Sequence, residues 1–358
     1  MRIAVGLSGG VDSSVAAVML KEAGHEVVGI TMKLWREGRY RGGCGEACFG
    51  PGEADDIDRA ADFARSIGID YRVYDCSEEY ERAVIGYFRE ASLQGLTPNP
   101  CVMCNAALKF GILPDMARGS GLSFDRFATG HYARIVPAAE GRLAIRRAID
   151  LKKDQSYFLY RLSQDQLSGT MFPLGGITKV EVRRFAAECG LGSAARRDSQ
   201  DFYSGDKNEL IGAEDREGDI VDVDGKVIGR HRGFWRYTVG QRKGIGVFGP
   251  EPHYVIGLDA CRNRVVVGGR SDAFTRVFRV EDIRWMGREG GEEPISCRVK
   301  IRSTGDPSGP VVLEHGICRA GGEGLFGVAP GQSAVFYGED DEIICGGVIS
   351  RLDPEGDR

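Results

Sequence analysis

The first fourteen residues constrain this chain more than any other stretch. An apolar run, Ile3-Ala4-Val5-Gly6-Leu7, leads into Ser8-Gly9-Gly10-Val11-Asp12-Ser13-Ser14, and a helical pattern follows from Val15 to Ala23. A strand, a glycine-rich loop and a helix in that order form a βα unit with a tight turn. Gly9 and Gly10 let backbone approach a ligand with no Cβ in the way. The loop N–H groups then face anionic oxygens beside the positive end of the helix dipole. Asp12 has no use toward a bare phosphate, but it suits a divalent cation that bridges phosphates, with Ser8 and Ser13 donating hydroxyl hydrogen bonds. The loop lacks the Gly-Lys-Ser/Thr ending of a Walker A loop and is not G-x-G-x-x-G. The plain alternative is a glycine-rich turn in an ordinary βα unit.

With 358 residues the chain exceeds one core, so two or three domains are expected. A net charge of -5 argues against a protein that coats nucleic acid generally, while leaving room for a local basic face. No apolar run approaches bilayer-spanning length and the N-terminus reads as a core strand, so no membrane partner and a cytoplasmic location are expected.

The pattern alternates strand and helix through the first half. Glu26 to Lys33 reads as a strand whose end, near Met32, should border the ligand, and Trp35 to Glu53 reads as a loop rich in Gly, Arg and Cys. Glu53 to Ile67 and Glu78 to Leu93 read as helices around a strand at Asp70 to Asp75. Two prolines then break Gly95-Leu-Thr-Pro-Asn-Pro100. A strand from Phe124 ends in Gly130, a basic and aromatic segment runs from Lys152 to Leu159, and Thr178 with Glu181 forms a capping-box entry to a helix ending at Gly190. From Gly218 onward short strands and glycines dominate, with an Asp-Gly hairpin turn, so the parse is α/β followed by β. The expected fold is a Rossmann-like nucleotide-binding domain over 1–203, a small β-rich domain over 204–271 and a β-barrel over 272–358.

Ten cysteines are too sparse for a disulfide scaffold, and their clustering carries the information. Cys44 and Cys48 form a C-x3-C, and Cys101 and Cys104 a C-x2-C. If Asn99 caps a helix, Cys101 and Cys104 occupy its first turn, where the dipole lowers a thiol pKa, and a reactive cysteine results. Zinc shared by the two pairs, or an iron–sulfur cluster on three of the four thiols, are the alternatives; spacing does not separate them. Cys189, on the amphipathic pattern from Val180, reads as a small buried hydrophobe.

Ser-Gly-Gly-x-Asp-Ser resembles the PP-loop of the ATP pyrophosphatases, which split ATP between its α and β phosphates and adenylate an acceptor. Several further motifs in order resemble the tRNA-specific 2-thiouridylases over nearly the whole chain. They are Gly6 to Ser13, Thr97-Pro-Asn-Pro100 with Cys104-Asn105, Ala128 to Arg134, Lys153 to Leu159, Asp198-Ser-Gln200, Gly229 to Gly233 and Tyr237 to Gly244. The resemblance implies an enzyme that adenylates the C2 oxygen of the wobble uridine of tRNA and replaces it with sulfur, using ATP and Mg2+. It further implies ATP contacts at Gly6, Leu7, Ser8, Gly9, Gly10, Val11, Asp12, Ser13, Met32 and Gly130, and Cys104 as the nucleophile. Asn99 and Pro100 would meet the target base, while Lys153, Asp154, Gln155, Arg302 and Ser303 would meet tRNA. A sulfur donor, either a persulfide carrier protein or free sulfide, completes the partners.

Two departures from the family pattern bear on the chemistry. Cys101 stands where typical members have Asp, and Tyr203 stands in place of the persulfide-bearing cysteine, counted from Ser199. Cys101 could replace the missing thiol in a local exchange pair with Cys104. Alternatively, Cys101, Cys104 and Cys44 or Cys48 could hold a 4Fe–4S cluster with one iron open to sulfide. A third outcome is a paralogue acting on another substrate or only binding tRNA. The linked loss of one cysteine and gain of Cys101 favours the cluster. Arg302-Ser303 also stands where the family has Arg-Tyr, which removes an aromatic tRNA contact.

Overall fold

The computed structural model describes residues 1–43, 47–191, 201–247, 249, 251–291 and 293–352. Cys44, Asp198, Ser199 and Gln200 lie outside the described residues. The N-terminal half is built on a parallel sheet of β1 (Arg2–Gly6), β2 (Glu26–Lys33), β4 (Asp70–Asp75), β5 (Arg126–Ala128) and β8 (Thr170–Met171), in the order β4-β2-β1-β5-β8. β1 is central because its Ile3, Ala4 and Val5 are apolar toward both faces, and all three are fully buried. The period-two alternation splits them. Ile3, Val5 and Leu7 pack with Ala17, Leu20, Ala60 and Ala64 of α1 (Val11–Glu22) and α2 (Glu53–Ser66). Ala4, with Val28 and Ile30, faces the larger core built by two helices over 77–93 and 100–119. Each fully buried Val or Ile there contributes roughly 1.5–3 kcal/mol relative to exposure.

The segment 35–53 is not only loop. It contains β3 (Ala47–Phe49), which pairs in parallel with β9 (Asp201–Tyr203) in the register Ala47↔Asp201 and Phe49↔Tyr203. A three-residue strand stabilised by a partner about 150 positions away leaves no local pattern to read. The antiparallel pair β6 (Ala133–Pro137) and β7 (Leu143–Arg147) projects beyond the parallel sheet. Cys189 is exposed at the C-cap of the Lys179–Glu188 helix, so the buried reading fails: the helix's inner face is taken by Val182 and Ala186.

The middle sheet runs in the order Val227–His231, Gly218–Val221, Arg264–Gly268, Tyr254–Asp259. Six further strands close a barrel, from Val277–Trp285 to Ile343–Ser350. The barrel is seated on the first half. Tyr157 donates to the Ser333 carbonyl (3.0 Å), and the Ser156 and Tyr337 hydroxyls meet at 3.0 Å. A buried charge network joins the same two parts: the Asp154 carboxylate, 1 % exposed, faces Arg147 at 3.3 Å and Lys300 at 3.8 Å, and Arg147 also pairs with Asp306 and Asp341.

Candidate functional site

The loop after β1 is held by its own hydroxyls. The Ser13 Oγ accepts from the Ser8 N–H (3.2 Å), lies 3.2 Å from the Ser8 Oγ and donates to the Gly10 carbonyl (3.1 Å). Gly9 takes φ +69°, and a Cβ there would lie 2.5 Å from the Asp56 carbonyl oxygen, so only glycine fits. Gly10 is the N-cap of α1 and supplies no side-chain acceptor, which leaves the first-turn N–H groups to an anion.

Gly130, after β5, packs against this turn; a Cβ would sit 2.8 Å from backbone atoms of Asp12 and Ser13. Met32, half-buried, lies near the end of β2. The carboxyl ends of β1, β2 and β5 thus bring the expected ATP contacts to one crevice. The Asp12 carboxylate accepts from the Tyr132 hydroxyl (2.8 Å) and from the Lys179 ammonium (2.7 and 2.8 Å). Free first-turn N–H groups, a carboxylate, two hydroxyls and a lysine fit a nucleotide polyphosphate with a divalent cation. Sequence reasoning missed Lys179 and Tyr132. The capping box that places Lys179 at the first position of its helix was visible, but its reach to Asp12 depends on how that helix packs on α1.

The thiols stand on the helix over 100–119. Asn99 caps it, its side-chain oxygen accepting from the Val102 N–H (3.4 Å), and buried Pro100 occupies the first position, where its missing N–H costs nothing. From Cys104 to Ile112 the helix is π-helical. The expected depression of the thiol pKa does not occur: burial pushes Cys101 up to about 12 and Cys104 up to about 11, while the Lys109 ammonium opposes both shifts. Desolvation outweighs the helix dipole in this packed setting.

Burial holds the His131 ring well below its ordinary value, with the Lys109 charge adding to the effect, and the ring packs 5.7 Å from the Phe110 ring. His131 follows Gly130, so the helix that carries the thiols packs against the segment that borders the phosphate loop. Cys48 is exposed on β3, and behind burial its like charge also raises the Cys101 and Cys104 thiols. Tyr203 does not resemble a cysteine in role. It is buried against Phe49 and Tyr40, donates to Glu209 and accepts from the Gly42 N–H (3.1 Å). Among the described residues no three His, Cys, Asp or Glu side chains converge as a metal site, so Cys48, Cys101 and Cys104 do not form the expected three-thiol cluster; Cys44, the alternative third thiol, lies outside the described residues.

The expected tRNA contacts divide. Lys153 is half-buried. Asp154 is interior: it accepts from the Ala148 and Ser156 N–H groups (3.1 and 3.2 Å) and the Ser156 hydroxyl (2.9 Å). Gln155 accepts from the Tyr132 N–H (2.9 Å), so it holds the loop after Gly130 in place. Arg302 and Ser303 are exposed beyond the barrel strand Ile295–Lys300, and Arg302 lines a cleft of about 610 Å³ with Phe274 and Phe326. Among the described residues no helix is long and apolar enough to cross a membrane.

Three family models match the chain in order: the tRNA methyl transferase HUP domain over 1–203, the tRNA methyl transferase PRC-barrel domain over 209–269 and the aminomethyltransferase beta-barrel domain over 275–349. The chain is 42% identical to the tRNA-specific 2-thiouridylase MnmA of Endomicrobium trichonymphae, over 98% of this chain and 99% of that one. It is 43% identical to the protein of the same name from Chloroflexus aurantiacus, over 98% of each. A solved 4-thiouridine synthetase–RNA complex with bound ATP covers 58% of this chain and 45% of that one, with TM-score 0.36 at 14% identity, too distant to bear on function. Identity at this level along the full length of both chains makes the conclusion plain: the chain belongs to the tRNA-specific 2-thiouridylase family.

Proposed function

We propose that this protein is an ATP-dependent tRNA-uridine 2-sulfurtransferase that acts at C2 of the wobble uridine, with Cys104 as its working thiol. The observation that carries the reading is an uncapped phosphate loop packed against Gly130, with a half-buried C-x2-C on the helix whose Phe110 ring lies against the adjoining His131, in a chain of this family. ATP with Mg2+ supplies the activation that turns the C2 oxygen into a leaving group. The chain's own residues do the rest. First-turn N–H groups of α1 take up negative charge as pyrophosphate departs. Asn99 and Pro100 border the thiols and would receive the base, which must leave its stack to reach them. Lys109 favours the thiolate of Cys104 against the burial that opposes it. The outer sulfur of a Cys104 persulfide attacks C2, the C2–O bond breaks and AMP leaves. The Cys101 thiolate then attacks the Cys104 sulfur, the persulfide S–S bond breaks to release the thiolated base, and an external thiol reductant reopens the resulting Cys101–Cys104 disulfide.

Sulfur delivery in this reading uses thiols, not a cluster. Among the described residues Cys48 is the exposed cysteine of the group and lies on the strand paired with that of Tyr203, so it is the residue a sulfur donor would reach. A persulfide carrier protein would pass its outer sulfur to the Cys48 thiolate and leave as a thiol, and the Cys104 thiolate would take that sulfur in the same way, leaving Cys48 as a thiol. Residues 1–203 carry the chemistry, while 204–271 and 272–358 hold tRNA through groups such as Arg302. The work belongs in the cytoplasm, where tRNA is processed.

The test is ATP-dependent incorporation of sulfur into tRNA by anaerobically purified protein, with AMP, iron and acid-labile sulfide measured together. Thiolation by iron-free wild type, lost in Cys104→Ser and strongly reduced in Cys48→Ser, supports the reading. Stoichiometric iron and sulfide required for activity would replace the thiol relay with a cluster, and AMP formation without any thiolated tRNA would refute the assignment.

A further inference from the structure

A cleft of about 400 Å³ opens on the seam between the first domain and the barrel, and none of its lining residues has a role in the steps above. Its walls come from three places in the chain. Arg142 stands before β7, Arg161, Ser163 and Gln164 lead into the short Gln164–Ser168 helix, and Arg284 and Trp285 end the barrel strand Val277–Trp285. Polar bonds stitch the two sides together. The Arg142 Nε donates to the Met286 carbonyl (3.0 Å), and the Gln164 amide donates to the Leu143 and Met286 carbonyls (3.0 and 3.1 Å) while accepting from the Leu143 N–H (2.8 Å). The spacing of the walls is thereby set by the main chain of both domains.

Charge in the cleft is one-sided. Arg161 pairs with one oxygen of Asp282, and Arg284 with the other at 2.9 Å. Asp282 meets both because the strand bulges here: its pairing with Ile343–Ser350 slips between Glu281 and Arg284, and Asp282 takes φ +47°. Arg142 bonds to main-chain carbonyls, and among the described residues no acidic side chain lines the cleft. Three guanidinium groups against one carboxylate leave a surplus of two positive charges, in a chain whose net charge is -5. Like charges held around one carboxylate repel and favour a further anion. Gln164 is spent on main chain, and the Ser163 hydroxyl caps its helix by accepting from the Gln166 N–H (3.2 Å). The donors left to a ligand are the guanidinium forks, which match phosphate oxygens and read charge rather than base identity. We infer that this cleft takes the sugar–phosphate backbone of tRNA, as a phosphodiester clamp built jointly by the first domain and the barrel, with Arg142, Arg161 and Arg284 as its donors. The inference rests on the reading of the chain as a tRNA-modifying enzyme, and adds where the RNA backbone crosses the domain seam. Such a contact positions the substrate without selecting its sequence.

The experiment measures binding of an unmodified tRNA transcript, and of an unrelated RNA of equal length, to the full-length protein at a series of salt concentrations. Arg284→Gln alters a side chain that is 59 % exposed, so the fold should tolerate it. It should weaken both RNAs about fivefold near 0.1 M salt and flatten the plot of log affinity against log salt by about 0.7–0.9 in slope. Arg142→Gln combined with Arg284→Gln should roughly double that slope change, and Arg284→Lys, which keeps the charge, should retain most of the wild-type slope. If the double variant does not fold, Arg284→Glu serves, with a larger loss than Arg284→Gln expected. Unchanged affinity and slope in Arg284→Gln and Arg284→Glu proteins that melt like wild type overturn the clamp. A loss confined to tRNA, with the unrelated RNA unaffected, overturns it as well, because the cleft would then be reading sequence. So does binding of AMP or inorganic phosphate that Arg284→Gln abolishes while RNA affinity stays the same, since the ligand would then be a small phosphate compound. Failure of the wild type itself to bind tRNA overturns the tRNA-modifying reading and the clamp with it.

Discussion

Asp154→Asn separates two roles for a residue that resemblance assigns to tRNA and the fold places in the interior. The substitution keeps shape and some hydrogen-bonding capacity but removes a charge that is 1 % exposed. Arg147 retains Asp306 and Asp341, so it remains paired. Among the described residues Lys300 keeps only the longer-range charge of Asp306. Its side chain is 3 % exposed, burial already lowers its pKa, and Asp154 at 3.8 Å is its ion-pair partner. Stranding one member of a buried pair costs roughly 3–5 kcal/mol, and with Arg147 still compensated we expect about 3 kcal/mol. At roughly 2–4 °C per kcal/mol this lowers the melting temperature by about 6–12 °C. Scanning calorimetry at neutral pH reads it. Lys300→Met in the Asp154→Asn background should recover much of the loss, since the stranded ammonium is gone, giving a coupling of about 1–3 kcal/mol in the double-mutant cycle. A melt within about 1 °C of wild type alongside lost tRNA affinity would refute the reasoning and return Asp154 to the tRNA surface.

Other outcomes follow from single contacts. Glu53 accepts from the Leu34 and Trp35 N–H groups, yet burial raises its carboxyl from 4.5 to about 7. The folded state therefore binds its proton more tightly than the unfolded state. Its contribution is full below about 4.5 and is lost as pH rises through about 7, so Glu53→Gln should flatten that part of a melting-temperature profile between pH 4.5 and 7. In native-state alkylation read by mass spectrometry, Cys48, Cys189 and Cys261 should label first, whereas Cys101 and Cys104 should lag until pH approaches their raised values; fast labelling of Cys104 at neutral pH would contradict the burial argument. Gly130→Ala places a Cβ 2.8 Å from backbone that has no room to yield, so it should cost about 1–3 kcal/mol and weaken ATP binding measurably by calorimetry.

The strands β1, β2 and β4 and the loop between β1 and α1 were legible because their signals are local: apolar runs, glycines and caps lie within a few residues of what they determine. Asn99 and Thr178 announced their helices for the same reason, and both cap bonds form. What was illegible depends on distant partners. β3 exists because β9 lies beside it, Asp154 is interior because the barrel brings Lys300 to it, and the Cys101 and Cys104 thiols are raised by packing that no spacing reveals. The helix dipole was a sound local expectation for those thiols, but desolvation is a property of the assembled core and it prevails.

The segment that precedes the thiols does not hold its shape alone. The Thr97 N–H donates to the Pro330 carbonyl (2.7 Å), and the Gln332 amide donates to the Thr97 and Pro98 carbonyls at 3.2 Å each. A Cβ on Gly331 would strike Leu96 and Thr97 at 2.8 Å, so the barrel turn lies directly on this segment. During synthesis, residues 97–98 leave the ribosome more than two hundred positions ahead of the turn that shapes them. Domains fold as they emerge, but this segment takes its final shape only once the barrel turn at Pro330 to Gln332 has been made, so the first domain cannot be completed before the third.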